Sequence, residues 1–208
     1  MISSVAAQAE RVAAKKQQEE KEAAEKPAKR AAAAERVAAC VGAARAQIDA
    51  EGGSLAAEVL EENASLQDDE RVVLQSMFEE DECELLEAPE GYIGGVRLRV
   101  AAPNKKGVEQ AVALRALMPP EYPSHLPPTV EIVDGIEGGK AEAAYVADQL
   151  TLYFFDEFVG TCVLPMWAEW LRDEWIAKQS GGGGGGGGKD ATPSAEPSAD
   201  CLLKFGKA

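Results

Sequence analysis

The side chains that could perform chemistry in this sequence are few. Four cysteines occur, at positions 40, 83, 162 and 201, and His125 is the only histidine. A thiol nucleophile needs a lowered pKa or a neighbouring base, and any Cys-His or Ser-His-Asp arrangement would have to include His125. Cys162 begins the last predicted helix, where a helix amino terminus can lower the pKa of a thiol. We favour a half-buried structural role for Cys162, a strand position for Cys83 and a solvent-facing loop position for His125.

The sequence shows no pattern typical of a metal or phosphate site. No two cysteines have the C-x-x-C spacing of a zinc site. The acidic run at residues 79–82 lacks the alternating ligands and turn glycine of a calcium loop. The glycine-rich stretches at residues 91–95 and 181–188 do not lie between a strand and a helix, as phosphate-binding loops do. We therefore predict no catalytic, cofactor-binding or metal-binding residue.

The charge of the chain restricts its partners. The formal net charge is −15, and nine Lys/Arg stand against seven Asp/Glu in residues 1–50, but twelve against twenty-nine in the remainder. Phosphate backbones are bound by clustered Lys and Arg, so we expect no nucleic-acid partner. The acidic half is suited to a basic protein surface, or it serves solubility alone. We find no secretory signal and no apolar stretch of membrane-spanning length, and we expect a reduced, cytoplasmic protein without membrane contact.

The elements that must position these residues occupy the second half of the chain. Aromatic residues, which supply most of the burial a core needs, fall between Phe78 and Trp175, except for Phe205. Apolar periodicity there predicts a helix, four strands joined by short turns, and two further helices. The predicted elements are a helix from about Leu55 or Ser65 to Glu79, strands at Cys83–Leu86, Tyr92–Ala101, Glu109–Met118 and Thr129–Val133, and helices at about Gly139–Phe158 and Val163–Lys178.

Spacing within these elements predicts which side chains are buried. The first helix places Leu66, Val73 and Met77 on one apolar face, with Leu74 and Phe78 on the neighbouring line. In the long strands, apolar residues alternate with polar ones, and the turn at residues 103–107 has the composition of a strand-to-strand connection. The expected core positions of the strands and the last helix are Val96, Leu98, Val100, Val112, Leu114, Ala116, Leu164, Trp167, Leu171 and Trp175.

Two flanking segments differ in composition from this domain at residues 63–178. Residues 1–60 are rich in Ala, Glu and Lys, and they lack the Leu or Ile seam of a coiled coil. We expect a solvated, partly helical arm that Pro27 interrupts, either without a role or pairing with a partner helix. We expect residues 179–208 to form a glycine-rich linker and a disordered tail. This tail is either a short docking peptide or the start of a connection to a further domain.

A proline-rich corner between the third and fourth strands is the most specific motif. It contains five prolines in ten residues, and its Tyr122-Pro123-x-x-x-Pro127 spacing leads directly into a strand. Prolines of this density cannot join a sheet ladder or a helix and therefore make an extended corner. The hydroxyl group of Tyr122 is able to satisfy a buried backbone group there. With the helix, the meander and the closing Trp167 and Trp170-Leu171-Arg172, this corner resembles the RWD family, the non-catalytic relatives of ubiquitin-conjugating enzymes.

The resemblance implies an α+β fold with a helix, a four-stranded antiparallel meander and two C-terminal helices. The corner and the segment from Phe158 to Trp175 look like the RWD domain of RING-in-between-RING ubiquitin ligases. They also look like that of a translational-control kinase and of its competitor protein. The catalytic relatives need a thiol and a His-Pro-Asn segment, and no such segment follows Val133.

The resemblance therefore implies a non-catalytic module that binds another protein, which we place in the ubiquitin pathway. One alternative is a regulator of translational stress signalling that binds a ribosome-associated activator. The other alternative is a degenerate conjugating enzyme that uses Cys162 or Cys83.

Overall fold

The order of helices and strands is that of the predicted domain, preceded by one long helix. A computed structural model describes residues 2–179, with side chains except those of residues 2–15, 19, 22 and 23. The elements are α1 (Ile2–Ala50), α2 (Ala57–Met77), β1 (Cys83–Leu86), β2 (Gly94–Pro103), β3 (Glu109–Met118), β4 (Thr129–Asp134), α3 (Gly139–Tyr153) and α4 (Leu164–Trp170). A π-helical turn, Phe154–Phe158, continues α3, while Leu171–Trp175 and the 3₁₀ turn Ile176–Lys178 continue α4.

The four strands form one antiparallel meander in the order β1-β2-β3-β4, which confirms the predicted topology. β2 and β3 pair along their whole length, from Gly94 opposite Met118 to Pro103 opposite Glu109. The turn between them is closed by Asn104, whose side-chain oxygen accepts hydrogen bonds from the backbone N–H groups of Lys106 and Val108. The alternating pattern is realised as predicted, with the expected strand residues buried on one face: Val96, Leu98, Val100, Val112, Leu114 and Ala116.

The helix α2 buries a different face from the one predicted. Leu74 and Phe78 are buried as expected, but Val73 and Met77 keep 44% and 47% of their surface exposed. The predicted Leu66–Val73–Met77 face is therefore wrong as a core face. The residues that point inward with Leu74 are instead polar: Asn63, Gln67 and Glu70. Their burial is possible because the proline-rich corner offers hydrogen-bond partners there.

The helices α3 and α4 close the core from the same side as α2. Leu164, Trp167 and Leu171 are fully buried, as their spacing predicts. Trp175 is only half-buried and stacks on Trp170, with 6.4 Å between ring centroids. The largest fully enclosed side chains come from the corner and these helices: Trp167, Tyr122, Phe154 and Phe155.

The first helix is longer and more closely attached than the composition indicates. α1 continues through Pro27, so the predicted interruption there is wrong, because strong helix formers flank the proline on both sides. Its second half is also not simply solvated, since Ala33, Cys40, Ala44 and Ile48 are buried. Small side chains at helical spacing allow α1 to approach α3 closely. Ion pairs from Arg30 to Glu142 and from Arg36 to Asp156 join the two helices.

Candidate functional site

The proline-rich corner is held against α2 by side-chain amides. Asn63 donates to the carbonyl oxygen of Pro120 and to the hydroxyl of Ser124, at 2.9 Å each. Gln67 donates to the carbonyl oxygens of Pro119 and Tyr122, at 2.9 and 2.7 Å. Because a proline-rich segment has few N–H groups for a sheet ladder, its carbonyls need donors from elsewhere. The amides of α2 supply them.

Tyr122 and Glu70 join three elements at the centre of this corner. The Tyr122 hydroxyl accepts a hydrogen bond from the backbone N–H of Val163 at 2.6 Å and donates to the Glu70 carboxylate, whose two oxygens lie at 2.8 and 2.9 Å. The backbone N–H of Leu164 also donates to Glu70, at 2.8 Å. The Tyr122 hydroxyl thus satisfies a buried backbone group. The network ties α2, the corner and the start of α4 together.

Burial changes the acid–base behaviour of this network. Glu70 is only 3% exposed, and desolvation raises its pKa from 4.5 to about 7, although hydrogen bonds from Leu164 and Tyr122 act in the opposite direction. Burial also raises the pKa of Tyr122 well above its ordinary value, and the nearby Glu70 charge adds to this. Burial disfavours the charged form of an acid. Glu70 is therefore the one group of this network that titrates near neutral pH.

Cys162 lies beside this network but is not activated by it. Its thiol donates to the carbonyl oxygen of Leu66 at 3.4 Å. Desolvation and the Glu70 carboxylate raise the pKa of Cys162 to about 12. A thiol nucleophile requires the opposite shift, so the helix start does not make a reactive thiolate here. The half-buried position agrees with the structural role that we favoured.

The other sequence candidates are spread over the fold. Cys83 is buried in β1, where burial raises its pKa. His125 is half-buried, with Nδ1 at 2.9 Å from the Ser124 hydroxyl. The prediction of a solvent-facing histidine is therefore wrong in part, because Ser124 and the corner cover one side of the ring. Within residues 2–179, no hydrogen bond joins the side chains of Cys83, Cys162 and His125 to one another.

Pro123 and Pro127 are both buried. The bond between Tyr122 and Pro123 is cis, and the Pro123 carbonyl accepts a hydrogen bond from the backbone N–H of Gly160 at 2.9 Å.

Among the residues that the structure describes, no three His, Cys, Asp or Glu side chains gather as metal ligands would. Nor does any described helix combine the length and apolar character needed to cross a bilayer.

An exposed apolar face on α2 lies next to an acidic turn. Val72 is 66% exposed, and Val73 and Met77 are nearly half exposed. Residues 79–82, all acidic, follow directly and lead into β1. In the described part of the chain, no Lys or Arg lies within 4.0 Å of their carboxylates. We call Val72, Val73, Met77 and residues 79–82 the α2 surface. Its apolar centre and charged edge are typical of protein interfaces.

The sequence contained a signal for the buried polar residues of α2, but apolar periodicity alone could not show that they are buried. Asn63, Gln67, Glu70 and Leu74 follow one another at helical spacing. An interpretation based on apolar periodicity ranks polar residues as exposed. Only the position of the proline-rich corner shows that these amides and the carboxylate have buried partners.

The helix, the antiparallel meander and the closing helices define an α+β fold related to ubiquitin-conjugating enzymes, of the class whose members bind other proteins. The RWD domain model matches residues 65–175. The chain belongs to the RWD domain family. No curated protein is significantly similar to the chain. The match begins after α1, so the long first helix lies outside the family domain, and it packs on α3, which lies inside it.

Proposed function

We propose that this protein is a non-catalytic adaptor of the ubiquitin pathway in the cytoplasm, and that it binds a pathway enzyme through the α2 surface. The observation that carries the proposal is the RWD fold with an uncovered apolar face on its opening helix. Val73 and Met77 lie one helical turn apart and expose 44% and 47% of their surface. Fully burying such a side chain contributes about 1.5–3 kcal/mol, and since about half of each is already buried, covering the rest against a partner contributes roughly 1 kcal/mol each.

The charge of the α2 surface indicates the chemistry of its partner. Residues 79–82 add four carboxylates at the end of α2, and the whole chain carries a net charge of −15. A partner surface that presents an aliphatic side chain with Lys or Arg beside it is complementary to this arrangement. A second copy of this acidic chain is not, because like charges would be brought together.

The chemistry of the cysteines supports an adaptor rather than a conjugating enzyme. Thioester formation requires a thiolate, and the raised pKa of Cys162, about 12, leaves almost none at neutral pH. Cys83 is buried and its pKa is raised by burial as well. The polar side chains nearest to Cys162 are engaged in holding the corner and α4 in place.

Affinity capture from native cell extract, using the full chain as bait, tests the proposal. We expect recovery of ubiquitin-conjugating enzymes or ligase subunits, and loss of them when Val73 and Met77 are both changed to Asp. Val108 is 55% exposed in the β2–β3 turn, so Val108→Asp is a matched control that should retain binding.

Three results would contradict the proposal. Capture of ribosome-associated factors instead would favour the alternative role in translational stress signalling. Equal loss of binding with Val108→Asp would remove the α2 surface as the site. A reducible adduct with ubiquitin that disappears in Cys162→Ala or Cys83→Ala would show that the protein is a conjugating enzyme.

A further inference from the structure

A groove lies between the long first helix and the RWD domain, away from the α2 surface. It has a volume of about 660 Å³, within the range of about 300–1,000 Å³ that ligand sites occupy. Most of its lining comes from the second half of α1, the proline-rich corner with the start of β4, and α3, and the connections before α2 and before β2 add Gly53, Gly91 and Tyr92. No residue of α2 lines it. We call it the α1 groove.

One part of the wall of the α1 groove is aliphatic. Val37 and Val41 of α1 line one side, while Leu126 and Pro127 of the corner and Ala147 of α3 line the others. Proline at the corner keeps this wall rigid and leaves few backbone donors. This part of the wall is therefore suited to an aliphatic side chain, whose burial is favourable in proportion to its apolar area.

The polar groups of the groove are mainly acidic. Asp49, Glu121 and Asp148 line it, and among its described lining residues Arg45 is the one cation. Within the described residues, none of these three carboxylates lies within 4.0 Å of a Lys or Arg nitrogen. Asp148 is half-buried, and its burial raises its pKa. A carboxylate that is partly desolvated without a counter-charge is stabilised by an incoming cation.

This groove depends on a contact made by a helix that lies outside the matched family domain. α1 precedes residues 65–175, the part that the RWD model matches. α1 is attached to α3 by the Arg30–Glu142 and Arg36–Asp156 ion pairs and by the burial of Ala44, which is completely enclosed. Without α1 the corner and α3 would form an open surface rather than a groove.

We propose that the α1 groove binds a short peptide segment of a partner protein in which an aliphatic side chain is followed by Lys or Arg. The aliphatic side chain packs between Val41 and Pro127, and the cationic group pairs with Asp148. Charge selects this class of ligand, because a nucleotide or another anion would meet an excess of carboxylates. The site is separate from the α2 surface, so it stands whether or not the ubiquitin-pathway role is correct.

Peptide titration of the full-length protein, followed by amide chemical shifts in NMR spectra, tests the site. The probes are three synthetic nine-residue peptides: one with a central Leu-Leu-Lys, one with Lys replaced by Glu, and one with both Leu replaced by Ala. We expect only the first to shift amides of residues 37–49 and 147–151. Its affinity should fall about fivefold in Asp148→Asn, since an ion pair with a partly exposed carboxylate weakens binding by about such a factor when it is lost, and more than tenfold in Asp148→Lys, since like charges then repel.

The matched control is Glu131→Gln, which changes an exposed carboxylate of β4 outside the groove and should leave the affinity unchanged. Three results would overturn the proposal: no binding of the Leu-Leu-Lys peptide at millimolar concentration, equal binding of the Glu peptide, or shifts confined to α2. A fourth would replace the partner by the chain itself. Residues 202–204 also read Leu-Leu-Lys, and tighter peptide binding by a chain lacking residues 201–208 would show that this segment competes for the groove.

Discussion

Replacing Glu70 by Gln should remove a pH dependence from the stability of the fold. The folded-state pKa of Glu70 is raised from 4.5 to about 7, so between these values the folded protein holds a proton that the unfolded chain has released. The free energy of unfolding therefore falls as the pH rises through this window, and the decrease is complete above about pH 7. The glutamine introduced by Glu70→Gln would resemble the protonated carboxyl in shape and charge at every pH.

The magnitude follows from the shift. A rise from 4.5 to about 7 corresponds to about 3 kcal/mol at 1.36 kcal/mol per unit, and no reduction for solvent screening applies because Glu70 is 3% exposed. Most of this difference, about 2–3 kcal/mol, develops between pH 5 and pH 8. We expect Glu70→Gln to have nearly wild-type stability at pH 5 and to be more stable than the wild type at pH 8.

Urea denaturation of both proteins at pH 5, 6, 7 and 8 measures this difference. Other carboxylates, including Asp148, titrate equally in both proteins and cancel in the comparison. Glu70→Ala is a useful third protein, since it leaves the Leu164 N–H and the Tyr122 hydroxyl without their acceptor. It should lose about 1–3 kcal/mol relative to the wild type at pH 5, and this deficit should shrink toward pH 8, because only the wild type carries the titrating carboxyl. A difference between Glu70→Gln and the wild type that stays constant from pH 5 to pH 8 would refute the reasoning.

Three further predictions concern other parts of the fold. Gly135→Ala should lower the free energy of unfolding, measured by urea denaturation, by at least about 1 kcal/mol more than Gly107→Ala does. Both glycines have positive φ, but only the Cβ added at Gly135 would meet a β3 carbonyl oxygen, at 2.0 Å. Equal losses for the two variants would contradict this close approach. Cys162 should react with iodoacetamide at pH 8 at least about a hundredfold more slowly than free cysteine, since its pKa is raised to about 12. Mass spectrometry measures the rate. A rate like that of free cysteine would contradict the burial of the thiol. Ala44→Leu should lower the free energy of unfolding by about 1–3 kcal/mol, because it overpacks the contact with α3, and it should speed hydrogen exchange along α1. Ala38→Leu, on the exposed side of the helix, should do neither. If the two variants behave alike, α1 is not packed on α3.

The sheet was the most predictable part of the fold. Val96, Leu98 and Val100 alternate with Arg97 and Arg99, and a strand with one buried face fixes its own register by such alternation. The short turn after Pro103 leaves only an antiparallel partner within reach. The predicted and observed strands therefore agree closely.

The α2 helix shows why the candidate site could not be predicted as fully. Its apolar residues Leu66, Val73 and Met77 have helical spacing, yet Val73 and Met77 remain half exposed while Asn63 and Gln67 are buried. Which face of a helix turns inward depends on what the inside offers. Here the corner offers unpaired carbonyl groups, and amides satisfy them where aliphatic side chains would leave them without donors.

The sequence by itself determined the strands, the proline-rich corner and the closing helices, because these follow from spacing and from the geometry of proline within short stretches. Only the tertiary structure decided the rest. The partners of Glu70 are Tyr122 and Leu164, 52 and 94 residues further along the chain, and the α1 groove needs α1 and α3 to meet across more than a hundred residues. These features depend on groups that the fold brings together from distant positions: burial, raised pKa values and grooves. Local periodicity does not specify which distant groups will meet.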